Sequence, residues 1–151
     1  MAYHLQNILI LAKTMPWVKG IKKRGQSPVT QLIYFDKICR FHGLQTWQWI
    51  GKNSRSKITG HSEGSWHYQQ FPGSRFGMAF DAFGPVGNMR ACVAFIEKNH
   101  LKRYLYEGIF QAPGRNLSVK RGINIPPSNW GTKCWNDHKD HIHIAIKPKP
   151  W

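Results

Sequence analysis

Near the C-terminus the chain reads His141-Ile142-His143-Ile144-Ala145-Ile146. Successive side chains of a strand point to opposite faces. His141, His143 and Ala145 therefore share one face, and Ile142, Ile144 and Ile146 share the other. A fold that accepts this stretch needs a sheet with one face on an apolar core. The other face must carry two imidazoles side by side on a rigid element. Pro148 and Pro150 end the strand, since proline cannot donate to the ladder. The chain can supply the core: its 151 residues are 41% hydrophobic, enough for one domain.

Apolar spacing places the other elements. Leu5, Ile8, Leu9 and Ala12 fall at helical intervals, and Pro16 with the Lys19–Arg24 cluster is expected to break that pattern. Residues 1–28 read as a basic lead and 29–151 as the domain. Residues 29–42 form a helix with Leu32, Phe35 and Cys39 on one face, stopped by Gly43. Gln45–Ile50 and Ser56–Thr59 read as short strands, in which Trp47 and Trp49 are structural. Residues 60–76, rich in Gly, Ser and aromatics, read as a loop. A strand follows at Met78–Ala82, a second helix at Asn88–His100 and a strand at Tyr104–Phe110. Residues 111–136 read as one long loop, a length usually tied to function. The order predicts an α+β fold: a small antiparallel sheet with helices on one side.

Charge narrows the partners. Lys and Arg total 22 against 7 acids, a formal +15 that calls for a polyanionic partner or surface. No apolar run is long enough to span a membrane. Cys39, Cys92 and Cys134 are widely spaced and odd in number, so reduced, mostly buried thiols are expected. Met1–His4 carry no Lys or Arg ahead of apolar Leu5–Ala12, and no small-residue cleavage site follows, so no secretory signal is expected.

With acids so scarce, their placement is informative. Asp137 and Asp140 sit beside His138, His141 and His143, and Asp81 follows His67 in Ser65-Trp66-His67…Gly77-Met78-Ala79-Phe80-Asp81. Histidine and aspartate are ligands suited to zinc. His67, Asp81 and a histidine of the last strand would make three protein ligands. That leaves a fourth tetrahedral position, the arrangement of a catalytic site.

The motif SxH…GxAxD with a terminal HxH strand resembles the zinc peptidases of the D-Ala-D-Ala carboxypeptidase and L-alanyl-D-glutamate endopeptidase family. The hedgehog signalling domain and the lysostaphin-type endopeptidases share that core. The likeness covers about residues 56–146. It implies a hedgehog-like fold, Zn²⁺ held by His67, Asp81 and His143, and hydrolysis of peptide bonds in bacterial peptidoglycan by activated water. It further implies Asp140, three residues before the last ligand, as general base, with Asp137 and His138 as rivals. His141 would stabilise the oxyanion. Members include phage lysis and virion enzymes without signal peptides, so the expected destination is the cell wall or periplasm after release or virion delivery. Two departures qualify the match. The family spaces its first His and Asp seven apart, whereas His67 and Asp81 are fourteen apart, leaving His61 as a competing ligand. The arginine that often precedes SxH is replaced by Thr59-Gly60-His61-Ser62-Glu63, which favours an endopeptidase over an exo-acting carboxypeptidase.

His61, Trp66 and Trp135 are candidate substrate contacts, and Trp130 with Trp135 can wall a cleft. A monomer on peptidoglycan and anionic wall polymers is the expected partnership. Two rival functions stand beside it. One is a nucleic-acid-binding protein, disfavoured because the basic residues are spread along the chain. The other is a hedgehog-type module that keeps the zinc and has lost turnover.

Overall fold

The computed structural model describes residues 16–47, 65–72 and 77–148. The apolar stretch Leu5–Ala12, the expected strand Ser56–Thr59, the end of Gln45–Ile50 with Trp49, and His61 lie outside these. Among the described residues, four helices and a six-stranded antiparallel sheet make up an α+β fold. Helix α1 is Pro16–Lys22 and α2 is Pro28–Phe41. Strands β1 (Gln45–Trp47) and β2 (Ala79–Phe83) come next, then helix α3 (Val86–Lys98). Strands β3 (Glu107–Phe110), β4 (Leu117–Lys120) and β5 (Ile123–Asn124) precede α4 (Thr132–Asp137) and β6 (His141–Ala145). The strand order is β1-β2-β6-β3-β4-β5, so the histidine strand lies centrally between β2 and β3. Among the described residues, no helix is long and apolar enough to cross a membrane.

The core follows the expected periodicities. Helix α2 opens with Ser27 Oγ accepting the Thr30 amide at 3.3 Å and Pro28 in its first turn. It buries Leu32, Phe35, Ile38 and Cys39, and α3 buries Met89, Cys92, Val93 and Ile96. These meet Phe80, Ala82, Ile142, Ile144 and Ile146 from the sheet in one apolar cluster. Cys39 and Cys92 are buried free thiols with sulfurs 3.8 Å apart, and Cys134 is half-buried.

Several sequence expectations are corrected. The stretch from Pro16 into the Lys19–Arg24 cluster is not all loop: Pro16 starts α1, which runs to Lys22 and whose Val18 and Ile21 enter the core. Proline suits a first helical turn because it lacks only an amide hydrogen that the turn would leave unpaired. Tyr104–Phe110 is not one strand, because Lys102–Tyr104 forms a 3₁₀ turn and pairing in β3 begins at Glu107. Most consequentially, residues 111–136 are not one long loop. Leu117 and Val119 alternate into the core as β4, and Arg121-Gly122 turns the chain into β5 with both residues at positive φ (53° and 78°). That is the conformation of a two-residue hairpin turn, reached here without the Asn-Gly or Asp-Gly pair that advertises one. The turn Pro127–Trp130 and α4 complete the segment.

Nor do all the helices lie on one side. Helices α2 and α3 cover the core face. The other face carries α4, whose capping His138 lies 4.7 Å, ring to ring, from His141, and Trp130, which donates to Ser118 Oγ at 2.9 Å.

Candidate metal centre

The register of the sheet assembles the site. Across the face turned from the core, one row runs Trp47, Asp81, His143, Ile109 and Ser118. The row beside it runs Gln45, Phe83 and His141, and the row on the opposite flank holds Ala79, Ala145, Glu107 and Lys120. Asp81 and His143 are therefore direct cross-strand neighbours, fixed by the alternation that buries Phe80, Ala82, Ile142 and Ile144 behind them.

His67 arrives from outside the sheet. It sits in a turn closed by the Tyr68 amide on Ser65 O at 3.0 Å. The Met78 amide, at the entry to β2, lies 3.1 Å from Trp66 O and 2.7 Å from Gln69 O, and Gln70 bridges to Gly77. This closure brings the entry to β2 back beside His67. A separation of fourteen thus brings the two side chains together.

Nε2 of His67 lies 3.2 Å from Oδ1 of Asp81 and 3.2 Å from Nδ1 of His143, and the latter two atoms are 3.0 Å apart. All three residues are buried. Zinc at 2.0–2.1 Å from each ligand in a tetrahedron would space the donors about 3.3 Å apart. The observed triangle fits that within a few tenths of an ångström. Without a cation, three lone-pair donors in such a triangle repel unless protons lie between them. The group can hold a metal ion. Burial keeps the ligands ready: it pushes the His143 imidazole down to about 4, against the pull of Asp81, so the ring is neutral at neutral pH.

The expected catalytic residues lie around this triangle. His141 has Nδ1 2.7 Å from Oδ1 of Asp140, and its Nε2 lies 3.9 Å from Oδ2 of Asp81. Its ring is flanked by Phe83 at 5.0 Å and His138 at 4.7 Å. Asp140 itself is 82% exposed and holds His141. Asp137 is exposed and paired with Lys133 at 2.8 Å, which holds its carboxyl below the usual range. His138 donates from Nδ1 to Cys134 O at 2.7 Å, and burial lowers its pKa.

The aromatic candidates are divided. Trp66 meets Tyr106 edge to face at 4.8 Å, with the Lys147 ammonium over both rings. Trp135 is half-buried and pinned by Gln111, which accepts its indole N–H at 3.3 Å and donates to its carbonyl at 3.0 Å.

Two residues on this face escape the sequence reading. Trp47, expected to be structural, is 62% exposed and stands directly across from Asp81. Glu107 is largely buried, with Oε2 3.8 Å from Nε2 of His143 and Oε1 3.7 Å from the Lys120 ammonium. The Trp66 indole also donates to it. Burial raises its pKa against those partners. Nothing local in Tyr106-Glu107-Gly108 marks it; the pairing of β3 with β6 alone puts it there. No family model matches the chain, and no curated protein or solved structure matches it either.

Proposed function

We propose that this protein is a zinc peptidase that cleaves peptide bonds in bacterial peptidoglycan, as an endopeptidase of the D-Ala-D-Ala carboxypeptidase and L-alanyl-D-glutamate endopeptidase type. The observation that carries the reading is the convergence of His67 Nε2, Asp81 Oδ1 and His143 Nδ1, with a second histidine of the same strand at the rim. Zinc bound there would supply Lewis acidity, enough to activate a peptide carbonyl and a water at neutral pH.

The protein's own groups would do the rest. Asp140 accepts Nδ1–H of His141 and so fixes the tautomer in which Nε2 is unprotonated and turned towards the triangle. With Asp140 82% exposed and committed to that bond, we assign the base role expected of Asp140 to His141 instead, whose Nε2 would take a proton from the attacking water and return it to the leaving amine. His138 packs on His141 and, held neutral by burial, adds no competing charge. Trp47, exposed on the ligand side of the sheet, offers a flat apolar surface to a substrate lying across β1 and β2. The +15 charge favours walls that carry anionic polymers.

The test joins metal analysis to turbidity of purified peptidoglycan. One zinc per chain and clearing of the suspension, both lost with chelator and with His143→Ala, are expected. Zinc without cleavage would replace this reading with the hedgehog-type binding module. Salt-sensitive nucleic-acid binding by a protein free of metal would replace it with the nucleic-acid reading.

A further inference from the structure

Of the seven acids in the chain, Glu107 is one that the proposed chemistry leaves without a task. It faces the metal centre from β3, on the far side of the His143 ring from Asp81. We propose that Glu107 is a positioning residue for the metal centre, its carboxylate receiving Nε2–H of His143 and the indole N–H of Trp66. In doing so it keeps Nδ1 of His143 free of a proton and aimed at the point shared with His67 and Asp81.

The argument starts from the two nitrogens of a neutral imidazole. Only one carries hydrogen, and the partner of each decides which. If Nδ1 carried it, His143 would donate to Asp81 at 3.0 Å, and the lone pair of Nε2 would face the Glu107 carboxylate. That places lone pairs against a negative charge in a buried site, and it removes Nδ1 as a ligand. If Nε2 carries the hydrogen, it points at Glu107. Nδ1 then turns its lone pair to the triangle, where it faces Asp81 Oδ1 at 3.0 Å, and an N–H on His67 Nε2, 3.2 Å from both atoms, can bridge them until a cation takes its place. At 3.8 Å the His143–Glu107 pair stands beyond hydrogen-bond length, and the bond would close as Nδ1 takes a metal.

The second contact extends the device to the other arm of the site. Trp66 precedes His67, and its backbone carbonyl also meets the Met78 amide. A carboxylate bonded to both the Trp66 indole and the His143 ring ties the loop ligand to the strand ligand. Lys120 at 3.7 Å offsets part of the burial that raises this carboxyl's pKa. Partners of this kind set the tautomer and orientation of ligating histidines. The inference rests on a metal binding at the triangle and not on peptide-bond cleavage.

The experiment uses the full chain with zinc alone as probe. Zinc affinity is read by competition with a chromophoric chelator. The tautomer of His143 in the metal-free protein is read from long-range ¹⁵N–¹H correlations of its ring. In the unsubstituted protein His143 is expected as the Nε2–H form. Glu107→Ala is expected to weaken zinc binding by about 10- to 100-fold and to shift His143 towards the Nδ1–H form. Glu107→Gln is isosteric and keeps an oxygen acceptor, so it should recover most of the affinity and the Nε2–H form. If Glu107→Ala does not fold, Glu107→Gln and the unsubstituted tautomer still decide the matter. A His143 found as Nδ1–H in the unsubstituted protein overturns the proposal. So does a Glu107→Ala variant with unchanged affinity and tautomer, or a Glu107→Gln variant as impaired as a folded Glu107→Ala. Failure to clear peptidoglycan with all these results intact would count against the peptidase and leave the role of Glu107 standing.

Discussion

His143 carries two demands that pull on one ring. It must be buried to be held rigidly, and burial disfavours its protonated form, bringing its pKa to about 4 from the ordinary 6.5. A pH dependence follows for the metal-free protein. The unfolded chain takes up a proton near pH 6.5 and the folded protein does not until about 4, so folding stability falls as pH drops through that window. Thermal unfolding of chelator-treated protein should show a falling midpoint between pH 6.5 and 4. His143→Gln, which has no proton to gain, should flatten that slope. With zinc present the midpoint should fall more steeply over the same range, because protons compete with the metal for the imidazoles. A metal-free midpoint that rises on acidification would contradict this account of the ring.

The two faces of β6 separate stability from chemistry. Ile144 is fully buried in the core, with the isoleucines on either side of it in the alternation also packed there. Ile144→Ala should cost about 2–5 kcal/mol in denaturant unfolding and leave zinc stoichiometry at one per chain. His143→Ala should do the reverse, abolishing zinc binding while the helices and sheet persist by circular dichroism. If Ile144→Ala released the metal as completely as His143→Ala, the faces would not be independent. The β4–β5 hairpin gives a second test at this scale. Gly122 sits at φ 78°, and a Cβ added there would come within 3.0 Å of Arg103 O. Gly122→Ala should therefore destabilise the fold by about 1–3 kcal/mol, measured by urea denaturation. The register of β4–β5 explains why this hairpin was hidden. Arg121 adopts a left-handed conformation that its side chain does not advertise, so only the paired strands reveal the turn.

At the scale of the whole molecule, metal and fold are linked. The three candidate ligands come from a loop, β2 and β6, and a metal bound there would hold them together only in the folded state. Zinc at about a thousand times its dissociation constant should add roughly 4 kcal/mol of stability. The melting temperature should rise with zinc concentration and return to the metal-free value with chelator; a midpoint indifferent to zinc would deny the centre. Much of this was legible in the residues. The alternation His141–Ile146 dictates a strand with imidazoles on one face, because period two leaves no other way to bury three isoleucines. The helical spacing of Leu32, Phe35 and Cys39 dictates α2 for the same reason. Local pattern could not say which strands flank β6, since pairing is decided by contacts between residues far apart in sequence. Only that pairing sets Asp81 on one side of His143 and Glu107 on the other, folds residues 111–136 into β4, β5 and α4, and leaves Trp47 standing in solvent beside the ligands.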